Sequence, residues 1–115
     1  VILDQISFFE YHDMFSIYAA LSLEAVGFAV RGQGWKLAAE GAIGLKDRIP
    51  CATQGGLKAR GFPGGATGVY QAVEAAAQLR GQAGTNQIAN VKYGLIQSMG
   101  GPASTVVSHV LEVSV

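Results

Sequence analysis

At 115 residues the chain has room for one domain with one hydrophobic core. Half of it is hydrophobic and 14% is charged, against about 25% in an ordinary soluble protein, so part of its surface is expected to lie against something else. The eight acidic and eight basic side chains cancel, and no Lys/Arg cluster builds a basic face, which argues against a nucleic-acid partner.

No apolar run reaches the roughly 18 residues of a membrane span, so no membrane partner is expected. The opening Val1-Ile2-Leu3-Asp4 lacks the basic start of a signal peptide and acquires a charge at once. A single cysteine, Cys51, excludes an internal disulfide and a cysteine-type zinc site, and no other metal site is expected. A reducing, cytoplasmic setting follows as an expectation. A start without methionine, directly in an apolar stretch, hints at a fragment of a longer protein.

Gln5 to Tyr11 is rich in Ile, Phe and Tyr and predicts a short buried strand. His12-Asp13 punctuates it, with Asp13 as the expected N-cap of a helix over 14–27, where Phe15, Ile17, Tyr18, Leu21 and Ala25 recur at helical spacing and Gly27 is the stop. After Gly32-Gln33-Gly34 comes a helical turn from Trp35 to Glu40, then a loop, then a second short apolar strand, Ile49 to Thr53. A glycine-dense stretch leads into a helix over 66–80 closed by Gly81, with Val69, Val73, Ala76, Ala77 and Leu79 on its apolar face. Strands near 90–97 and 104–114, turning at Gly100-Gly101, complete an α/β fold in which a mixed sheet carries helices on its faces.

The glycine pairs at 55–56, 64–65 and 100–101 allow positive φ and close backbone approach. Backbone N–H groups in such turns can converge on an anion or a carbonyl oxygen, and equally they can be no more than tight strand-to-helix connections.

Four stretches, in order, resemble the C-terminal half of the thiolase superfamily, in its archaeal and sterol-carrier-type branch. Glu10-Tyr11-His12-Asp13-Met14-Phe15 is similar to H-D-C-F with its flanks. Cys51 to Gly61 is similar to N-T-S-G-G-L-K-A-x-G, Gly61 to Gly68 to G-H-P-x-G-A-T-G, and Gln97-Ser98-Met99-Gly100-Gly101 to the glycine hairpin between the last strands. Gln78-Leu79-Arg80-Gly81 also looks like that branch. The resemblance covers nearly the whole of residues 1–115 and implies one thiolase-like C-terminal domain, incomplete, with its N-terminal half elsewhere. It implies a layered α/β architecture of two similar halves, usually paired as a dimer, and an acyl-CoA acyltransferase chemistry. No cofactor is implied beyond a CoA thioester as substrate. The partners implied are a second copy of the chain, a missing N-terminal half or another subunit, among them a small acyl-CoA-binding zinc-ribbon protein.

The departures from the pattern are chemical. The G-H-P histidine position is Phe62, which can neither accept a proton nor hydrogen-bond an oxygen. The H-D-C-F cysteine is Met14, and the cysteine that other branches place in the last hairpin is Ser98. These positions fit lost chemistry. His12 is the retained member, which the resemblance assigns to holding a water facing the substrate oxygen; an ordinary capping histidine is the alternative. Gly55, Gly56, Gly64, Gly100 and Gly101 are the expected substrate-binding backbone. Cys51 reads as a core thiol, His109 as a core or interface side chain and Trp35 as a packing anchor, although an exposed indole would mark a partner surface. Tyr11 keeps open a thiolase-like aldolase, in which tyrosines replace cysteine and histidine.

Overall fold

A computed structural model describes residues 1–114. After a 3-10 turn at Leu3–Gln5, strand β1 (Ile6–Glu10) is followed by helices α1 (Ser16–Ala25), α2 (Gly34–Ala39), α3 (Gly56–Arg60) and α4 (Thr67–Leu79), then by strands β2 (Tyr93–Gly100) and β3 (Thr105–Glu112). The strands form one mixed sheet in the order β1-β2-β3, with β1 parallel to β2 and β2 antiparallel to β3. The alternation of side chains along β1 sends adjacent phenylalanines to opposite faces. Phe9 joins Tyr11, Leu23, Leu37, Ile49 and Leu95 beneath α1 and α2, whereas Phe8 joins Ala75 and Ile96 beneath α4. Strands β1 and β2 are therefore covered on both faces, in an α/β/α arrangement, whereas β3 is largely exposed beside them.

The hairpin turns where glycine was expected, with Gly100 opposite Thr105. The second predicted strand, at 49–53, does not form. Phe9 N–H donates to Pro50 O at 2.9 Å and Ala52 N–H to Phe9 O at 3.0 Å, which makes a single parallel bridge between Phe9 and Cys51. Pro50 has no N–H to extend the ladder, and Ala52 at φ 48° turns the chain away.

Helix α1 begins at Ser16, with Phe15 at its N-cap and no side-chain cap, so Asp13 does not play its expected part. Helix α4 closes as predicted: Gln82 N–H reaches Ala77 O and Gly81 N–H reaches Gln78 O, with Gly81 at φ 68°. Its orientation differs from the predicted apolar face. Thr67, Gln71, Ala75 and Gln78 are buried, while Val69 and Val73 are 67% and 63% exposed. The inward glutamines are held by hydrogen bonds. Gln71 Nε2 donates to Gln97 O at 2.9 Å. Gln78 Nε2 donates to Asn86 O at 2.7 Å, and its Oε1 accepts from Ile88 N–H at 2.9 Å. Backbone groups of the 86–88 connection thus find partners on α4, which outweighs the pull of the valines toward the sheet.

Candidate functional site at the ends of β1 and α3

The C-terminal end of β1 delivers His12 and Asp13 to the loops around α3. His12 is 4% exposed, its Nδ1 is buried without a hydrogen-bond partner, and burial pulls its pKa below the ordinary value. The Phe62 ring stands edge-on to it, 5.4 Å between centroids, and Tyr18 lies on another side at 6.3 Å. Phe62 itself is half exposed and follows Gly61 in the connection between α3 and α4. An aromatic ring therefore occupies the space beside the imidazole.

Asp13 turns toward α3. Its Oδ1 accepts from Leu57 N–H at 2.7 Å, at the first turn of that helix. Gly56 makes this possible: it sits at φ 65°, and a Cβ there would lie 2.1 Å from Asp13 Oδ2. Gly55, also left-handed, donates its N–H to Ala52 O at 2.8 Å. At the entry to α4, Gly64 begins a 3-10 turn, and its carbonyl accepts from Thr67 Oγ1 at 2.6 Å. Ser98, on β2, is half-buried against Gly68, where a Cβ would stand 3.1 Å from its hydroxyl. Gly101 takes φ 59° in an exposed turn, and the Gly100 carbonyl accepts from Ser104 Oγ at 3.1 Å. Met14 is half-buried in the bend before α1.

Among the expected residues the structure joins His12 to Phe62, Asp13 to Gly56 and Ser98 to Gly68, while Gly100-Gly101 closes its own hairpin. Burial pushes the Cys51 thiol well above its usual range, and its Sγ–H contacts Ile49 O, which suits a packed thiol. The Tyr11 hydroxyl is likewise pushed up by burial. His109 is exposed and lines a shallow groove with Val107, Ser98 and α4, so it is not a core residue. Trp35 is exposed. No three His, Cys, Asp or Glu side chains converge as a metal site among the described residues, and no helix of the described residues is long and apolar enough to cross a membrane.

Reading along the chain missed the polar centre behind this site. Glu10, 2% exposed, accepts at one oxygen from Thr53 N–H at 3.1 Å and Thr53 Oγ1 at 2.9 Å. Burial, and after it the nearby Glu74 carboxylate, push its pKa up to about 7 against the pull of Thr53. Glu74 in turn is ion-paired with Arg60, whose guanidinium stands over the Tyr70 ring at 5.2 Å. The signal lay in β1 itself, where one carboxylate interrupts the aromatic run Phe8-Phe9-Glu10-Tyr11. A charge in a buried strand needs a partner from elsewhere in the fold.

The profile described as "Thiolase C-terminal domain-like" matches residues 1–113. The chain belongs to the thiolase C-terminal domain-like family. Within it, the acetyl-CoA acetyltransferase of Methanothermobacter thermautotrophicus is 42% identical over 101 residues, which are 88% of this chain and 26% of that protein. Sterol carrier protein 2 of Bos taurus is 37% identical over 99 residues, 86% of this chain and 18% of that protein. A solved structure, "Ltp2-ChsH2(DUF35) aldolase", superposes with a TM-score of 0.85 at 26% identity over 97% of this chain and 28% of that one. This thiolase-like domain thus spans between about a fifth and just over a quarter of the relatives it matches.

Proposed function

We propose that this thiolase-like domain contributes acyl-CoA-binding loops to a larger acyl-CoA protein and does not perform thiolase chemistry by itself. The carrying observation is the Phe62 ring edge-on to His12. A retained imidazole, neutral and buried, faces a benzyl group where thiolase chemistry needs a base, and Met14 and Ser98 supply no acidic thiol. What remains is a backbone cradle: Gly55-Gly56 pinned by Asp13, with Gly64 leading into α4.

The partner is a further part of the protein or a second subunit. Val69, Tyr70 and Val73 on α4 and Val106, Val107 and Val110 on β3 form apolar surface on both sides of the sheet's outer edge. A second copy is the simplest cover, and a small zinc-ribbon acyl-CoA-binding protein is the heterologous one. The second reading, an acyl-CoA enzyme of aldolase type, draws on the solved relative's name; the buried Tyr11 hydroxyl, raised in pKa, speaks against its serving as that enzyme's tyrosine.

The test is two measurements on the purified protein. Acetyl-CoA binding by calorimetry should be detectable, and thiolysis of acetoacetyl-CoA should not rise above background. Loss of a general base alone removes about 10²–10⁴-fold in rate. Phe62→His should not restore turnover, because Met14 still cannot carry the second proton. Turnover by the unmodified chain would overturn the reading.

A further inference from the structure

A cavity of about 250 Å³ lies between α1, α2 and α3, on the face of the sheet that carries α1 and α2. Its walls are set by the close approach of the two helices. Gly34 N–H donates to the Glu24 carboxylate at 2.8 Å, and a Cβ at Gly34 would collide with the Ala20 carbonyl. The floor is apolar, built from Ala19, Leu23, Ala38 and Ile43, and the exposed Trp35 indole forms one side. Neither His12 nor Phe62 lines it, so it is separate from the site described above.

Three polar side chains border this floor, and each keeps bonding capacity that no described residue uses. Tyr11 is 6% exposed, and its hydroxyl has no hydrogen-bond partner among the described residues. Burial raises its pKa, so the hydroxyl stays protonated and can donate. Lys58 Nζ donates to Ser16 Oγ at 2.5 Å and pairs with no carboxylate among the described residues. An ammonium has three donors, so two are left over. Asp13 commits Oδ1 to Leu57 N–H, while its Oδ2 accepts from no described residue. A cation and an anion therefore line one cavity without pairing with each other.

That combination selects among ligands. A hydrocarbon would leave the buried Tyr11 hydroxyl without a partner, which is costly. A bare anion meets Asp13, and a bare cation meets Lys58. We infer that the cavity binds a small apolar α-amino acid as its zwitterion. The ligand carboxylate accepts from Lys58 Nζ and the Tyr11 hydroxyl, its ammonium donates to Asp13 Oδ2, and its side chain lies on the apolar floor beside Trp35. The volume is small for a ligand pocket, which favours a branched aliphatic side chain of leucine's size. This site stands independently of the acyl-thioester reading.

The test is calorimetry on the full-length protein at neutral pH with four probes: L-leucine, 4-methylpentanoate, 3-methylbutylamine and glycine. Leucine should bind saturably. The acid and the amine each lack one charged group, and each should bind about tenfold or more weakly. Glycine, without a side chain for the floor, should give no detectable heat. Asp13 also holds α3, so its part is read from these ligands rather than from a substitution. Lys58 and Ala38 are both exposed, and their variants should fold. Lys58→Met should weaken leucine about tenfold or more and leave the amine unaffected. Ala38→Phe fills the cavity and should abolish leucine binding. No binding of leucine, equal affinity for leucine and either single-charge analogue, or leucine binding that survives Ala38→Phe would each overturn the inference.

Discussion

Asp13 reaches across 44 positions of sequence to accept the Leu57 N–H at 2.7 Å. The carboxylate thus serves the start of α3, a helix that begins with glycines and has no cap of its own.

Removing that acceptor leaves an orphan donor at a half-buried helix start. Asp13→Ala should lower stability by about 1–3 kcal/mol in denaturant titration, and Asp13→Asn, which keeps an acceptor, by clearly less. Gly56→Ala should also destabilise, through its φ of 65° and the collision with Asp13. In the double variant the collision disappears, so the combined loss should fall short of the sum of the two. Strict additivity would mean that the residues do not meet.

The His12 titration reports on the Phe62 ring. Burial holds the imidazole neutral, so its NMR titration midpoint should lie below the ordinary 6.5. Phe62→Ala opens the space beside the ring, and the midpoint should rise toward that value. An unchanged midpoint would show that Phe62 does not shield His12 from water.

Gln78 is the most heavily used side chain of α4. Gln78→Leu keeps the volume and deletes the partners of Asn86 O and Ile88 N–H. A loss of about 2–4 kcal/mol is expected, since each buried group left unpaired costs about 1–3 kcal/mol. A conventional amphipathic helix would instead gain from such a change, so the sign of the effect is decisive.

The pH dependence of stability separates Glu10 from the exposed carboxylates. Its folded pKa, about 7, lies above the ordinary 4.5, so the folded state holds a proton that the unfolded chain releases between these values. Its contribution to stability is full below pH 4.5 and is lost as pH rises to about 7, by about 3 kcal/mol in all. Above that window the loss is complete. Glu10→Gln should remove this part of the slope; urea midpoints for the two proteins from pH 4.5 to 8 measure the difference.

The sheet was readable in the chain because β1, β2 and β3 carry runs of Phe, Ile, Leu and Val with Gly100-Gly101 marking the turn between the last two, and α4 ends on the glycine that its termination requires. The facing of α4 was not readable. Gln71 and Gln78 look like surface residues until the backbone of residues 86–97 is laid beside them, and that contact is long-range. The strand at 49–53 failed for a local reason already visible in Pro50, and composition masked it. At the site, Phe62 and Met14 stood out because their side chains cannot ionise. The Glu10–Glu74–Arg60 centre did not, because its members come from β1, α4 and α3 and no spacing rule joins them.

Strand β3 lies at the end of the sheet order, exposed at every position except Leu111, with its outer edge unpaired among the described residues. An edge of that kind, carrying three exposed valines and one carboxylate in eight residues, is a template for further strands. While the edge stays open, it can pair with the same strand of another copy. Assembly would hide it. A strand laid against that edge would satisfy its open N–H and C=O groups and remove the template.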